Sequence, residues 1–505
     1  MKVDVAILGG GFGGSLLALI LQRIGLVPVV VDRGRHPRLT LGESSTPVAG
    51  LVLQQLARRY DLPRIAPLAE YGSWQAAYPA LPCGLKRGFT YYRHEIGRPF
   101  EPLPGHPTEL LVAASHSDGD ADTHWFRPDF DAFLWSEVPR EKIAAFDQCD
   151  IQRITRPQPG NWHLSGTRLG EPIEIQADFV VDATGDGRVL ARWFGQSLEP
   201  RGMSTNSRCL FGHFTGLRHW EDLLAERGCQ IGDYLFRCDD SALHHLFNDG
   251  WMYVLPFNNG VTSAGFMIDA EQSPFDAAVP AEAEWAEWMS RYPSLAWQFA
   301  EARLTELCGP LRRTARLQKR VEQAAGPDWA MLPLTAYTFD ALHSTGNAHN
   351  LCGIERLACI LEDRDPGHRA AALQRYHERL QVEIDHVDRM IHGCYLALRS
   401  TAAGPLPPDV FAGFSMLYFA GATMSEHLRR DVRDSGQAIA EPPALLLADD
   451  PVFRGIVAEC HAEVLAHTQG RGESGNFNEF VGRRILNYNI AGLCDVTKSN
   501  IYPFG

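Results

Sequence analysis

Val3-Asp-Val-Ala-Ile-Leu-Gly-Gly-Gly-Phe-Gly-Gly-Ser-Leu-Leu-Ala-Leu19 is the stretch that decides the fold. The apolar run before the glycines is typical of a buried parallel strand, and the apolar stripe after them is typical of a helix. Gly9, Gly11 and Gly14 stand between the two in the spacing Gly-x-Gly-x-x-Gly. A strand, a glycine turn and a helix in this order predict a dinucleotide-binding unit.

Each glycine has a physical reason in such a unit. Gly9 permits the tight turn, Gly11 lets the backbone approach a pyrophosphate, and Gly14 lets the helix pack close to the strand. The free N–H groups at the helix start then face the phosphates. A second predicted strand, residues 27–31, ends at Asp32, whose carboxylate can accept hydrogen bonds from ribose hydroxyls. The predicted cofactor contacts of this unit are Gly9, Gly11, Phe12, Gly13, Gly14 and Asp32.

Composition excludes several classes of protein. A chain of 505 residues is too long for one simple core, which predicts two or more lobes. The net charge is -14 and no run of Lys or Arg occurs, so nucleic acid and anionic membranes are not expected partners. The 11 cysteines lack the spacing of a zinc site or a disulfide framework, so we expect no metal site and a reduced, cytoplasmic protein. The first strand begins at the N-terminus, which leaves no room for a signal peptide, and no apolar run is long enough to span a bilayer.

The nucleotide lobe is predicted to be discontinuous. Residues 175–182 form a predicted strand followed by a glycine turn at 183–187, far along the chain from the first unit. A self-sufficient NADPH-dependent flavoenzyme would normally carry a second Gly-x-Gly-x-x-Gly directly after a strand. No second motif in that context occurs, and this favours FAD over a transient nicotinamide. Residues 102–122 are rich in Pro, Gly, Ser, His and Asp and are predicted to be an exposed loop, and 485–504 a looser tail.

The predicted fold class is α/β. It comprises a glutathione-reductase-like FAD-binding Rossmann fold, an inserted β-rich substrate domain and a helical C-terminal region. The predicted segments are the FAD-binding domain (1–82 and 126–199), the substrate domain (83–125 and 200–310), a return segment for FAD and halide (311–365) and the mostly helical region (366–505).

Four blocks, in this order, carry a resemblance to a known family. They are HPRLTLGESSTP (36–47), CGLKRGF (83–89), LHHLFNDGWMYVLPFNN (243–259) and DALHSTG (340–346). With them the chain resembles the flavin-dependent halogenases, within the tryptophan-halogenase-like superfamily, and most closely the branch that acts on phenols and pyrroles.

The resemblance implies a two-component enzyme. Reduced FAD, delivered by a separate flavin reductase, reacts with O2 to a flavin hydroperoxide, and chloride or bromide converts it to hypohalous acid. That acid reaches Lys86, the implied catalytic lysine, which directs the halogen to a small electron-rich aromatic, free or tethered to a carrier, in natural-product biosynthesis. Thr345 and Gly346 are the implied halide site, and Trp251 with Pro256 the wall between flavin and substrate. The further implied flavin contacts are Arg38, Ser44, Arg127, Asp182, Asp340 and Gly346.

Elementary chemistry agrees with two of these roles. Backbone N–H groups in the Ser-Thr-Gly turn can hold a halide. Lys86 stands between Gly84 and Gly88 in an apolar segment, where the ammonium form is disfavoured and the amine becomes a better nucleophile.

The chain departs from the family pattern at four positions. Tyr253 replaces the second tryptophan of the wall block, Leu255 replaces isoleucine, and Ala341 stands where the family usually has proline. His343 stands where the tryptophan branch has a catalytic glutamate, so the acid that would assist Lys86 is missing there. His343 is therefore a candidate catalytic base, although packing or a flavin contact is the favoured alternative. These departures keep open a flavin-dependent monooxygenase or oxidase, and a non-catalytic flavin-binding partner protein.

Overall fold

The computed structural model describes residues 1–402, 404–434 and 442–504. The predicted helical region 366–505 therefore includes positions 403, 435–441 and 505, which lie outside the described residues. Two large sheets organise the chain.

The first sheet is built around the glycine-turn strand. Lys2–Leu8 lies between the parallel strands Pro28–Val31 and Glu171–Asp182, with Leu8 opposite both Val31 and Asp182. All these strands therefore end at one edge, where the crevice of a doubly wound fold binds its ligand. The remaining strands of this sheet are Ala144–Phe146, Cys149–Gln158, Asn161–Arg168, Ala325–Gly326 and Trp329–Met331.

Successive side chains of the second sheet point alternately into two hydrophobic clusters, because the sheet is covered on both faces. Tyr91 and Trp251 point to the side shared with the first sheet, while their neighbours Tyr92 and Met252 pack against the helices that carry Trp220 and Trp288. Its strands within the described residues are Gly88–Arg93, Glu109–Ala113, Ser207–Thr215, Ala242–Phe247, Gly250–Pro256, Val261–Asp269, Arg303–Leu304, Arg312–Arg313 and Ile501–Tyr502.

A small antiparallel pair joins the two sheets. Cys83–Lys86 pairs with Asp122–Trp125, which places Lys86 opposite Asp122 and Gly84 opposite His124. Ser44 forms a single bridge to His124, so the loop after the second strand of the nucleotide unit lies against this pair. Two further short pairs are Lys319–Arg320 with Tyr337–Thr338, and Ser400–Thr401 with Gly404–Pro405.

Helices cover the first sheet and form most of the C-terminal region. Pro366–Leu398 packs against Pro408–Asp434 and Pro451–Thr468, and Thr345–Glu362 packs against the nucleotide unit. The other helices are Phe12–Arg23, Pro47–Arg59, Tyr71–Ala77, Arg127–Arg140, Val189–Trp193, Trp220–Glu226, Ala281–Arg291, Pro293–Gln298, Pro333–Ala336 and Phe477–Arg484. No helix in the described ranges combines the length and the hydropathy needed to cross a membrane.

Two local predictions were wrong. The segment 102–122 is not one exposed loop, because it contains the buried strand Glu109–Ala113 and ends at buried Asp122. The tail 485–504 is only partly loose, since Ile501–Tyr502 adds a parallel strand to Glu109–Ala113. In both cases a strand outside the segment supplies the hydrogen bonds, and local composition carries no record of it. The α/β class is confirmed by the two sheets and their covering helices. The segment bounds stay a prediction.

Candidate active site

The glycine turn has the geometry that a nucleotide cradle needs. Gly9 has φ +104°, and a Cβ there would lie 2.4 Å from the carbonyl oxygen of Ala183. A Cβ on Gly14 would lie 2.0 Å from the carbonyl oxygen of Gly9, so only glycine allows the helix to pack this close to the turn. A Cβ on Gly11 would meet only the Asp131 carboxylate, at 3.5 Å. Gly9 and Gly14 are thus required by the protein itself, whereas Gly11 leaves room beside the backbone for a ligand.

Asp32 ends the second strand and is tied to the glycine turn. Its carboxylate accepts hydrogen bonds from the N–H groups of Gly10 and Gly34, both at 2.7 Å, and from the Arg38 guanidinium at 2.7 Å. Burial raises the pKa of Asp32, but Arg38 and the two N–H groups outweigh it, so the net pKa is lowered. Arg38 therefore lies against a proposed ribose-binding carboxylate, and it keeps that carboxylate ionised.

Arg127 braces the loop that follows. It is 3% exposed and forms a two-point ion pair with Asp131, with Nε to Oδ1 at 2.7 Å and a terminal nitrogen to Oδ2 at 2.9 Å. The same side chain donates to the carbonyl oxygens of Leu41 and Gly42. The guanidinium also covers the ring of Phe12, with 4.9 Å to the centroid. These contacts make Arg127 a brace between the glycine turn and residues 41–42.

The predicted halide residues begin a helix. Ser344 and His343 have positive φ, and Thr345 is the first residue of Thr345–Glu362, so the first N–H groups of this helix have no partner within it. A Cβ on Gly346 would have only one neighbour within 4 Å, a methyl group of Leu334 at 3.6 Å. This helix start is the type of backbone site that holds an anion, and Gly346 keeps its surface open.

Asn347 joins this helix start to the loop after Asp32. Its amide donates to the carbonyl oxygens of Gly42 and Ser44, both at 3.1 Å. The Asn347 Oδ1 and the Ser44 hydroxyl are buried, and neither has a hydrogen-bond partner within the part of the chain that the structure describes. Unpaired polar atoms at a crevice edge are the groups that a bound polar ligand satisfies.

Lys86 is the one fully buried lysine of the chain's five, with 0% exposure. Its ammonium donates a hydrogen bond to the carbonyl oxygen of Ser45, and Nζ lies 3.9 Å from the centroid of the Phe89 ring. Burial lowers the pKa of Lys86, while the nearby Asp122 carboxylate opposes that shift. A buried lysine without a tight ion pair is rare, and it marks a functional candidate.

Asp122 is the acid that the sequence did not reveal. It stands opposite Lys86 in the antiparallel pair, is 6% exposed, and its Oδ2 has no hydrogen-bond partner among the described residues. Burial raises the pKa of Asp122 to about 8, and the Lys86 ammonium opposes this rise only in part. Local pattern gave no signal, because Asp122 follows a stretch of Ser, Asp and Gly that is typical of a surface turn.

Aromatic side chains enclose the Lys86 end of the site. The imidazole of His343 stacks on Tyr418, with centroids 4.5 Å apart, and its Nδ1 is 2.8 Å from the Tyr91 hydroxyl. Tyr91 in turn stacks on His244 at 4.3 Å. Burial holds the pKa of His343 well below its usual range, with further lowering by His244 and Lys86. His343 is therefore neutral at physiological pH, in a cluster whose other members are Phe89, Tyr91, His244, Phe411, Tyr418 and Phe419.

Trp251 borders this cluster and is fixed by a buried hydrogen-bond chain. Its Nε1 donates to the Tyr395 hydroxyl at 3.2 Å, and Tyr395 donates to Asp340 at 2.7 Å. Asp340 also accepts from the Ser207 hydroxyl at 2.5 Å and from the Leu342 N–H at 3.0 Å. Asp340 thus links Trp251 to the segment that leads into Thr345, and its carboxylate is fully occupied by the protein.

The remaining predicted contacts have structural partners. Asp182 accepts from Thr184 and from the Leu190 N–H at 2.7 Å, which fixes the turn after the returning strand. The Pro256 carbonyl oxygen packs against Gly84, where a Cβ would lie 2.2 Å away. Gly13 lies beside Asn350, whose amide nitrogen would be 2.6 Å from a Cβ. Direct flavin contacts by these residues stay a prediction.

Comparisons with known proteins agree with this geometry. No protein-family model matches the chain. It is 27% identical to the monodechloroaminopyrrolnitrin halogenase PrnC of Pseudomonas fluorescens over 492 residues, covering 93% of this chain and 82% of the relative. It is also 27% identical to the tetracycline 7-halogenase of Kitasatospora aureofaciens, covering 78% of this chain and 70% of that one. The chain is therefore similar over most of its length to flavin-dependent halogenases.

The fold agreement extends over the whole chain. The crystal structure of halogenase PltM in complex with phloroglucinol and FAD superposes with a TM-score of 0.86, at 22% identity, covering 99% of both chains. The halogenase CmlS superposes with a TM-score of 0.63. The α/β architecture predicted from the sequence is therefore also the fold of these two solved halogenases.

Sequence reasoning found part of this candidate site and missed part. The structure brings the glycine turn, Asp32, Arg127 and Thr345–Gly346 to one crevice, and it places Lys86 beyond the loop 42–46. Asp122, Asn347 and the aromatic residues of the helix Pro408–Asp434 were missed. They lie far along the chain from the motifs, and their types are common in ordinary helices and turns.

Proposed function

We propose that this chain is a FADH2- and O2-dependent halogenase that chlorinates or brominates a small electron-rich aromatic ring. The observation that carries the proposal is Lys86. It is buried, faces an aromatic cluster, and is joined through the loop 42–46 to the crevice with the glycine turn. A cationic or amine group held in this way can direct an electrophilic halogen, and ordinary packing does not need one.

The residues of the crevice fit FAD. Gly9–Gly14 would face the pyrophosphate, Asp32 would accept from the ribose, and the buried unpaired Ser44 hydroxyl and Asn347 Oδ1 would meet polar atoms of the flavin half. When bound and reduced, FAD supplies hypohalous acid from O2 and a halide. The N–H groups of Thr345 and Gly346 would hold that halide.

The chain's own residues then carry out the substitution. Lys86 would hold the hypohalous acid by a hydrogen bond or as a bonded halogen, and the ring would lie beside the aromatic cluster that contains Tyr91, His343 and Tyr418. The overall reaction replaces a ring hydrogen by halogen and releases water. In this proposal Trp251 and Pro256 separate flavin from ring, and His343 orients the ring as a neutral partner. The names of the relatives indicate aromatic substrates activated by nitrogen or oxygen, which supports a phenol or pyrrole type.

Two partners belong to the same proposal. A separate flavin reductase would supply reduced FAD, because the other Gly-x-Gly-x-x-Gly of the sequence, residues 470–475, follows the helix Pro451–Thr468 and not a strand. The substrate is a free small aromatic or one tethered to a carrier, as the name of the 22% identical pyrrole-2-carbonyl carrier-protein chlorinase suggests. All 11 cysteines are free, which supports a reducing compartment such as the cytoplasm.

The product mass tests the proposal. The protein is supplied with FAD, a flavin reductase, NADH and O2, and a panel of phenols, pyrroles and indoles is offered with chloride, with bromide and without halide. We expect a halide-dependent product with the isotope pattern of chlorine or bromine. A product that gains oxygen in halide-free buffer and never gains halogen would instead assign a monooxygenase. No turnover on the panel or on carrier-tethered forms would assign a flavin-binding protein.

A further inference from the structure

We propose that Arg93, together with the Thr108 hydroxyl, binds a carboxylate group of the aromatic substrate, so that the ring this chain halogenates is a free aromatic acid. The inference rests on the proposed function and deepens it, because it names the substrate class. A ring tethered to a carrier through its own carboxyl group has no such carboxylate. Arg93 is a specificity residue in this proposal, since it contacts the substituent and not the reacting carbon.

The Arg93 guanidinium is buried without a counter-charge. Both of its terminal nitrogens are shielded from solvent, and neither has a hydrogen-bond partner in residues 1–402, 404–434 and 442–504. Arginine cannot escape burial by losing its proton, because it stays a cation in proteins. Buried charges are normally paired, since an isolated buried cation is costly. A ligand anion would supply the partner that Arg93 lacks.

The carboxylate that acts on Arg93 is too exposed to replace such a partner. Burial lowers the pKa of Arg93, and the Glu95 carboxylate opposes this only in part. The Glu95 side chain is 72% exposed and forms its ion pair with Arg98, at 3.2 Å. An exposed carboxylate is screened by water and stabilises a buried cation little. The positive charge of Arg93 is therefore left for a ligand.

A second unpaired group stands opposite Arg93. Tyr92 pairs with Glu109 in the antiparallel ladder, and at the next position the Arg93 N–H donates to the Thr108 carbonyl oxygen at 2.9 Å. Opposite residues of such a ladder project to the same side, with Cβ atoms about 4.5–5.5 Å apart. The Thr108 hydroxyl is also buried, and it has no hydrogen-bond partner that the structure describes. Two guanidinium nitrogens and one hydroxyl thus lie on one side of the sheet as unpaired donors.

This set of donors matches a carboxylate. The guanidinium presents its N–H groups as a planar fork that binds both oxygens of a carboxylate at once. A hydroxyl can donate to a lone pair that the fork leaves free. A halide ion is a single point of charge and does not need the fork. The donor geometry therefore favours a carboxylate over a second halide.

Arg93 lies on the face of the sheet that carries the aromatic cluster. Alternate residues of a strand share a face, so Phe89, Tyr91 and Arg93 follow one another at intervals of about 7 Å. Leu246, which pairs with Arg93, belongs to the same hydrophobic cluster as Tyr91. The Lys86 Nζ lies over the Phe89 ring, at the other end of this row. A ring beside Tyr91 would have Lys86 at one end and Arg93 at the other, so halogen would enter away from the carboxylate.

The first test measures binding without turnover. Protein loaded with oxidised FAD is titrated by calorimetry with para-hydroxybenzoate and pyrrole-2-carboxylate, and with the matching carboxamides as neutral probes. We expect the wild type to bind the acids about 10-fold or more tightly than the amides, as charge-assisted hydrogen bonds predict. Arg93→Met should abolish this preference, and Thr108→Val should reduce it by a smaller factor. Arg98→Met removes an exposed arginine and is the matched control.

The second test separates a ligand role from a structural one. Methionine in place of an unpaired buried cation removes a desolvation cost, so the midpoint of thermal unfolding without ligand should be unchanged or higher in Arg93→Met. para-Hydroxybenzoate should raise this midpoint in the wild type and not in the variant. A lower midpoint in Arg93→Met, with acid and amide binding lost alike, would make Arg93 a structural residue and overturn the inference. A rise caused by sodium chloride alone and lost in Arg93→Met would overturn it in favour of a halide site.

Product analysis separates this inference from the proposed function. With a flavin reductase and halide, we expect the wild type to have a KM about 10-fold or more lower for the acids than for the amides, and Arg93→Met to lose that difference. If the wild type binds acids through Arg93 but halogenates no ring, the proposed function fails and the carboxylate site stands. If it halogenates neutral or carrier-tethered rings as readily as free acids, the carboxylate site fails and the proposed function stands.

Discussion

The side-chain amide of Asn347 donates a hydrogen bond of 3.1 Å to the carbonyl oxygen of Ser44, and the next carbonyl in the chain, that of Ser45, accepts from Lys86. Two adjacent residues of one loop therefore contact the helix start proposed to hold halide and the lysine proposed to direct halogen. A short covalent path thus joins the two ends of the proposed site.

Asn347→Ala should uncouple the helix start proposed to hold halide from Lys86. The loop loses its bonds at Gly42 and Ser44, so we expect FAD still to be oxidised while more hypohalous acid escapes to a solvent trap. Halogenated product per FADH2 consumed should fall by up to about 30-fold, because two lost hydrogen bonds of about 1 kcal/mol each sum to about 2 kcal/mol. Asn161→Ala, on a hairpin strand of the nucleotide lobe, is the control. An unchanged ratio of product to FADH2 would contradict the proposed path.

Lys86→Met should abolish product formation. Methionine fills similar volume but cannot donate a hydrogen bond or bond to halogen, so we expect at least a 100-fold loss while FAD binding and reoxidation continue. Lys142→Met changes an exposed lysine in the same way and should leave the rate unchanged. Product mass and FADH2 oxidation are measured together. Normal halogenation by Lys86→Met would exclude the lysine from the reaction.

Gly11→Ala should weaken FAD binding, whereas Gly14→Ala should destabilise the fold. The Gly11 methyl would meet no protein atom closer than 3.5 Å, so the free energy of unfolding of the apoprotein should change by about 0.5 kcal/mol or less. Its FAD affinity should fall tenfold or more, because the methyl fills the space proposed for the pyrophosphate. The Gly14 methyl would lie 2.0 Å from the Gly9 carbonyl oxygen, so Gly14→Ala should destabilise the apoprotein by about 1–3 kcal/mol. Denaturation and flavin-fluorescence titration check both, and equal FAD affinity in Gly11→Ala and wild type would place the pyrophosphate elsewhere.

Glu383 should make the free energy of unfolding decrease at acidic pH. It is fully buried and accepts from the Arg356 guanidinium at 2.5 and 2.8 Å and from the Leu445 N–H at 2.8 Å. Burial raises the pKa of Glu383, but Arg356 and His349 outweigh burial and the net pKa is far below the ordinary 4.5. Because the pKa of Glu383 is lower in the folded protein than in the unfolded chain, its ionised form stabilises the fold above about pH 4.5. This stabilisation is lost as the pH falls toward the folded pKa.

Glu383→Gln should therefore cost about 3–5 kcal/mol at pH 7, since Arg356 is left buried without its counter-charge. The difference from wild type should narrow as the pH falls below about 4.5. Glu479→Gln is the control, because Glu479 pairs with Arg483 on an exposed helix and should cost less than about 0.5 kcal/mol. Denaturant unfolding at pH 7 and pH 4 measures both differences, and an equal difference at the two pH values would refute the linkage.

The sequence by itself determined the nucleotide unit. Its strand, glycine turn, helix and terminal Asp32 are local in the chain, and their spacing follows from backbone sterics and the reach of a pyrophosphate. It also pointed to Lys86 and Thr345–Gly346, through blocks that resemble the family. The wall residue Trp251 came from the same source, but its hydrogen bond to Tyr395, 144 residues later, could not be read from the pattern.

Only the tertiary structure decided which acid accompanies Lys86. The residue type at position 343 suggested that no acid was present, yet the antiparallel pairing of Cys83–Lys86 with Asp122–Trp125 sets Asp122 opposite the lysine. The same holds for Asn347, Tyr418 and the strand Glu109–Ala113. Pairing and packing between distant segments are fixed by the global arrangement of hydrophobic faces, and a strand register that joins residues 36 apart leaves no periodic trace in either segment.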